Sequence, residues 1–490
     1  MSKQDGKKEV GLTLSELLAA QTPTKLQKFA SVMGEATRES QGLISDLLGS
    51  SGLSTLNASS KPDPFGASSS FARLSQSLSS KPSAVMAANM DLWRGWMDVF
   101  SKLASGDHIT ASKDRRFKDP EWSQNPIFEI LRSSYELNTQ WMMKLVDSAT
   151  DMPEAERSRA KFFAKQAADA MAPTNFFATN PEVLRRMLES GGESLLDGLR
   201  QAREDIRKGG GKLTISQTDE TPFEVGVNIA TATGEVVFRN ELIELLQFAP
   251  QRKKVFERPL LIFPPWINKF YILDLREENS MIRWLTSKGF TVFIVSWRNT
   301  DEATKNYTWD DYVTEGAFAA IDAVLEETGA DTLNAVGYCI GGTLLTGALA
   351  YMAQIGEEKV NAATFFASQS DFKRAGDLLV FTQPEGARHF SGLIEDHDGI
   401  MPGSAIGETF NWLRPVDLVW RYVVDNYMLG KKPRPFDLLY WNADVTNSPG
   451  PLFKTYLFDL YGENNLSEGR FQILGREVDL ADITIPAMVQ

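Results

Sequence analysis

The sequence predicts an α/β fold: a mostly parallel sheet flanked by helices and carrying an inserted cap, behind a mainly helical N-terminal domain. Three observations carry this reading. Short apolar runs at 259–263, 290–296, 333–338 and 362–367 alternate with helical patterns at 280–287, 312–327 and 342–353. Strands buried on both faces and joined by helices give a parallel sheet with right-handed crossovers. From 91 to 208 the apolar period is helical throughout, and Gly209-Gly210-Gly211-Lys212 then breaks it. From 371 to about 442, loops and aromatic helix interrupt the alternation, so this stretch is read as a cap over the sheet. The domains expected are a flexible region at 1–90, a helical domain at 91–210 and the α/β domain at 211–490. Short β-rich runs at 223–231 and 235–238 open the last of these. Within the first, 49–82 is rich in Ser, Gly and Pro and reads as a tether.

A chain of 490 residues is long for one domain. Its 42% hydrophobic and 23% charged residues are a globular balance. The net charge of −13 disfavours a partner held through nucleic-acid phosphates. A single cysteine, Cys339, excludes intramolecular disulfides and multi-cysteine metal sites. Three histidines (His108, His389 and His397) supply no HExxH pair, so no metal or cofactor is expected. The polar start lacks a secretory pattern, and no run of some eighteen apolar residues is long enough to span a bilayer. These features point to a reducing, cytoplasmic setting. Trp93, Trp96 and Phe100 share one helix face, expected to pack into the N-terminal domain, with a partner-binding face as the alternative.

The chemistry centres on Gly337-Tyr338-Cys339-Ile340-Gly341, which follows an apolar strand and opens a helix. This is the nucleophile-elbow pattern G-x-S-x-G with Cys for Ser, and it places the α/β domain among α/β-hydrolase folds. Small residues two before and two after the nucleophile let strand and helix approach across a sharp turn. Cys339 is thus the expected nucleophile, and a thiolate suits exchange of acyl groups with thioesters. Attack requires donors for the tetrahedral oxyanion. The backbone N–H of Ile340 is one candidate. Asn268, in the loop Pro264-Pro265-Trp266-Ile267-Asn268-Lys269-Phe270, is the other, with turn stabilisation as the alternative role for its amide.

That loop and its continuation to Leu275 resemble the signature of polyhydroxyalkanoate synthases. So do Val295-Ser296-Trp297-Arg298-Asn299 and the box from Gly337 to Gly342. Asp114-Arg115-Arg116-Phe117 with Asp119-Pro120 and Trp122 is similar to class I members, as are Asn411-Trp412-Leu413-Arg414-Pro415 and Val423-Val424-Asp425-Asn426-Tyr427. The resemblance implies polymerisation of (R)-3-hydroxyacyl-CoA, usually 3-hydroxybutyryl-CoA, into an intracellular polyester with release of CoA. It also implies homodimers attached to the polymer granule. The family's catalytic aspartate and histidine follow later strands. Here 483–490 reads as the strand leading to the aspartate, so neither residue is carried over, and this chain alone is expected to turn over poorly. Asp371 with His389 or His397 forms a conceivable substitute, weighed against a loop cap and two solvated cap histidines. Two other readings stand beside the synthase: a cysteine-nucleophile thioesterase or hydrolase, and a non-catalytic chain that binds granules or a partner.

Overall fold

The architecture is that of a computed structural model describing residues 13–49, 63–107, 109 and 111–490. His108 and most of the Ser-rich stretch before Asp63 lie outside the described residues. The chain divides into two compact units, Met1–Gln217 with Arg414–Pro433, and Thr218–Leu413 with Arg434–Gln490.

The second unit is built on a seven-stranded sheet. Its first six strands are β1 (Gly234–Arg239), β2 (Ile243–Phe248), β3 (Leu260–Phe263), β4 (Val292–Trp297), β5 (Leu333–Tyr338) and β6 (Val360–Phe366), and Ala487–Val489 closes it. The spatial order is β1-β2-β4-β3-β5-β6 and then the closing strand. β1 pairs β2 and β2 pairs β4 antiparallel, while the remaining pairs are parallel. Side chains alternate between two cores, as a period of two requires. Leu261, Phe263, Phe293 and Val295 face the larger core with the helix Ile340–Ile355. Leu260, Ile262, Val292 and Ile294 face the smaller one, closed by Ile282 and Leu285 of the helix Met281–Lys288.

Two details of this unit differ from expectation. The run 223–231 forms turns joined by a Val225–Ile229 bridge instead of a strand. Its backbone finds partners elsewhere, the Ala230 N–H donating to the Asp274 carbonyl at 2.8 Å. Irregular and helical structure also continues beyond 442, through the π-helix Thr455–Gly462, before the sheet resumes at Ala487.

In the first unit, helices span Leu14–Ala19, Pro23–Gly49, Ala67–Ser79 and Pro82–Ser105, then Pro126–Ser148, Glu154–Ala170, Pro181–Ser190 and Glu193–Lys208. Within the stretch 49–82 read as a tether, Ala67–Ser79 is a helix, which corrects that reading for these residues, while 50–62 lie outside the described residues. Asp63 accepts the Ala67 and Ser68 N–H groups at 2.6 and 2.9 Å, supplying the cap that orphan donors need. Leu74 is buried against Val146, Ala149, Met152 and Ala160. The serines are compatible because Ser70 faces inward and takes a hydrogen bond from Arg159 Nε at 2.6 Å. The packing expected for the tryptophan face is also corrected. Trp93 and Phe100 are 67% and 55% exposed, with Met86, Met90 and Met97 beside them, and Trp96 stacks on Phe100 at 5.5 Å. The inner side of this helix is instead taken by Ala88 and Val99.

The Asp114–Trp122 stretch is a polar clasp over an aromatic cluster. Arg116 pairs with Asp114 and Asp169, and Asp119 holds Arg185 through two bonds of 2.6 and 2.9 Å. Phe117, Trp122 and Phe128 pack beneath. Cap residues Arg414–Pro433 belong to this unit, where the Tyr427 hydroxyl donates to Asp205 Oδ2 at 2.6 Å.

Candidate active site

Cys339 lies between β5 and the helix Ile340–Ile355 with φ 53° and ψ −127°. A non-glycine residue rarely adopts this conformation, which costs of order 1–3 kcal/mol and persists only where surroundings enforce it. The enforcement is visible. The Cys339 N–H donates to the Phe366 carbonyl at 2.9 Å, and its own carbonyl accepts the Gly342 N–H at 2.9 Å. A Cβ on Gly337 would collide with the Gly342 Cα. One on Gly341 would collide with the Phe263 carbonyl oxygen and lie 2.5 Å from that of Pro264. One on Gly342 would lie 2.7 Å from the Ser368 Cβ. The glycines of the box are therefore contacts, and they bring the ends of β3 and β6 against the first helical turn.

Burial raises the pKa of the Cys339 thiol, the backbone N–H of Ile340 at its sulfur opposes this, and the net shift is upward. Asn268 follows Pro264 in the loop after β3, half-buried, and its backbone bridges to Val445. The whole loop is stapled to 441–446. The Thr446 hydroxyl donates to the Trp266 carbonyl at 2.5 Å, Trp441 Nε1 to the Lys269 carbonyl at 2.7 Å, and the Tyr271 hydroxyl to Asp444 at 2.8 Å. Trp266 is a hub, touching Trp297, Trp309, Tyr312 and Tyr456 at ring distances of 5.0–6.3 Å.

Asp371 caps its own loop. It accepts the Lys373 N–H at 3.0 Å and the Asn464 amide at 2.9 Å, which together hold its carboxyl below the usual range. His397 ends the helix Pro384–Asp396, exposed, with Nδ1 on the Leu393 carbonyl at 2.8 Å. His389 lies on the same helix, its ring 5.5 Å from Phe390. None of the three contributes to the shift of the Cys339 thiol.

The structure brings to the thiol a pair that sequence reasoning missed, Tyr456 and Tyr461. A thiolate at Cys339 would raise the pKa of both, and their hydroxyls lie 3.5 Å apart. Tyr461 donates to Gln369 Oε1 at 3.3 Å, and the Gln369 carbonyl accepts the Thr343 hydroxyl at 2.7 Å. Their spacing of five residues matches the i→i+5 bonding of the π-helix that carries them, a period that a search for 3.6 passes over.

Sheet order, elbow and glycine contacts together define an α/β-hydrolase-fold protein with cysteine at the elbow, and a family model described as alpha/beta hydrolase fold matches residues 259–465. A second, described as the Poly-beta-hydroxybutyrate polymerase (PhaC) N-terminus, matches 113–285. The chain belongs to the poly(3-hydroxyalkanoate) polymerase family. It is 40% identical over 415 residues to the poly(3-hydroxyalkanoate) polymerase subunit PhaC of Rhizobium meliloti (strain 1021), covering 83% of this chain and 68% of that one. It is 44% identical over 373 residues to the poly(3-hydroxyalkanoate) polymerase of Methylorubrum extorquens, covering 76% and 62%. Identity to the subunit PhaC of Cupriavidus necator is 43% over 381 residues, covering 77% and 64%. The chain thus spans between 62% and 68% of the length of these relatives. Among solved structures, a thioesterase domain from the curacin biosynthetic pathway is 16% identical over 52% of this chain and 82% of its own, with a TM-score of 0.29, too low to carry functional weight.

Proposed function

We propose that Cys339 carries acyl groups taken from (R)-3-hydroxyacyl-CoA, 3-hydroxybutyryl-CoA foremost, and passes them to the hydroxyl end of a growing polyester. The observation that carries this reading is the strained elbow, which fixes the sulfur of the single cysteine beside a backbone N–H in a family of polymerases. In the first step the Cys339 sulfur attacks the thioester carbonyl, the carbon–sulfur bond to CoA breaks, and CoA leaves with the proton Cys339 gave up. In the second, the polymer hydroxyl attacks the acyl-enzyme, an ester bond forms, and the proton returns to the Cys339 sulfur. Ile340 N–H, already directed at the sulfur, is beside any carbonyl bound there, and the Asn268 amide is assigned as the second oxyanion donor.

The same reading places the chain, as a homodimer, on the surface of a cytoplasmic polyester granule. Its support is the exposed stripe of Met86, Met90, Trp93, Met97 and Phe100 on Pro82–Ser105. No helix among the described residues is long and apolar enough to cross a membrane. Incubation with radiolabelled 3-hydroxybutyryl-CoA is expected to label the wild-type chain once and to leave Cys339→Ala unlabelled. Undiminished labelling of that variant would overturn the assignment.

A further inference from the structure

We propose that Tyr456, Tyr461 and Gln369 form a directional hydrogen-bond chain that receives the 3-hydroxyl of an acyl group held on Cys339, so that the site selects hydroxyacyl over plain acyl groups. The inference rests on the acyl-transfer reading above and deepens it.

Direction follows from what each group can give. Gln369 Oε1 is an acceptor only, and it takes the Tyr461 proton at 3.3 Å. Tyr461 oxygen takes the Tyr456 proton at 3.5 Å. Tyr456 oxygen then keeps lone pairs and has no further proton to give, which makes it the acceptor end. A hydroxyl arriving from the acyl chain extends the series by one donor.

Position follows from packing. Gln369 is tied to the elbow helix through Thr343, next to Ser368, which abuts Gly342. The Tyr456 ring is held edge-on by Trp266 and Phe372 at 6.3 and 6.2 Å. Trp266 lies two residues after Pro264, whose carbonyl lies against Gly341 of the elbow, so this packing ties Tyr456 to the nucleophile turn. Among the described residues the sulfur takes its hydrogen bond from Ile340, and neither phenol bonds to it. Burial keeps both tyrosines protonated. Bonds of 3.3 and 3.5 Å are also at the weak end for hydroxyl donors, so the chain is poorly satisfied as it stands.

The test is single-turnover acylation of the full chain by 3-hydroxybutyryl-CoA and by butyryl-CoA, with iodoacetamide titration counting reactive Cys339. One neutral hydrogen bond corresponds to a preference of about ten-fold for the hydroxyacyl donor. In Tyr456→Phe the two rates are expected to converge, and in Tyr461→Phe to converge in part, because the chain is cut one link further out. Equal rates in the wild type would overturn the proposal and leave acyl transfer standing. So would a fall of both rates by one common factor in Tyr456→Phe, the mark of lost packing. Acylation by neither thioester, with Cys339 still alkylated, would remove the acyl-transfer reading and this proposal together.

Discussion

At Cys339 two influences meet on one sulfur: burial disfavours the thiolate, the Ile340 N–H favours it, and burial is the larger. The pH dependence of alkylation follows in sign. A raised thiol pKa moves the midpoint for iodoacetamide reaction above the value of about 8.5 for a free cysteine. By linkage, the stability contributed by the neutral thiol is fully present below the unfolded-state pKa and is lost as pH rises through the folded-state one. A midpoint at or below that of free cysteine would contradict this account. Gly341 offers a second test at this scale. Its missing Cβ makes room for the Phe263 and Pro264 carbonyls, and backbone gives way less readily than a side chain. Gly341→Ala is expected to cost about 1–3 kcal/mol in urea unfolding and to slow Cys339 alkylation as the elbow shifts.

Among the elements, legibility in the sequence tracks how local the cause is. The elbow was readable because the glycines that its steric requirement calls for lie within six consecutive residues, from Gly337 to Gly342. β3 and β4 were readable because burial on both faces leaves continuous apolar runs. β2 is different. Its Glu and Leu residues favour helix by propensity, and only pairing with β1 and β4 makes Ile243–Phe248 a strand. Tyr456 and Tyr461 are brought toward the elbow by a π-helical period and a long connection, neither of which leaves a local mark. The helix Ala67–Ser79 hides behind its serines for the same reason, since its cap and partners are read only in three dimensions. Asp63→Ala should cost about 0.5–2 kcal/mol of thermal stability through the loss of that cap. The exposed helix Pro82–Ser105 predicts the opposite pattern. Changing Trp93 and Met97 to Ser should alter stability by no more than about 0.5 kcal/mol. The same change should release the protein from polyester-coated beads, and unchanged retention would remove the support for a granule-facing stripe.

Over the whole molecule, the helical unit is discontinuous in sequence: Arg414–Pro433 completes it from within the α/β portion. The join is tight. A Cβ on Gly198 would collide with the Tyr427 carbonyl, and Asp205 accepts both the Tyr427 hydroxyl and that of Ser216, each at 2.6 Å. Gly198→Ala is therefore expected to expose 414–433 to limited proteolysis, cleaved before any site in the sheet, and cleavage no faster than in the wild type would show the join to be loose. The arrangement also sets a timetable for synthesis. The helices up to Gln217 leave the ribosome without their final piece, which ends at Pro433, 216 residues later. At about 5–20 residues per second, the nascent chain spends roughly 10–40 s with that surface uncovered, a window in which a chaperone can bind.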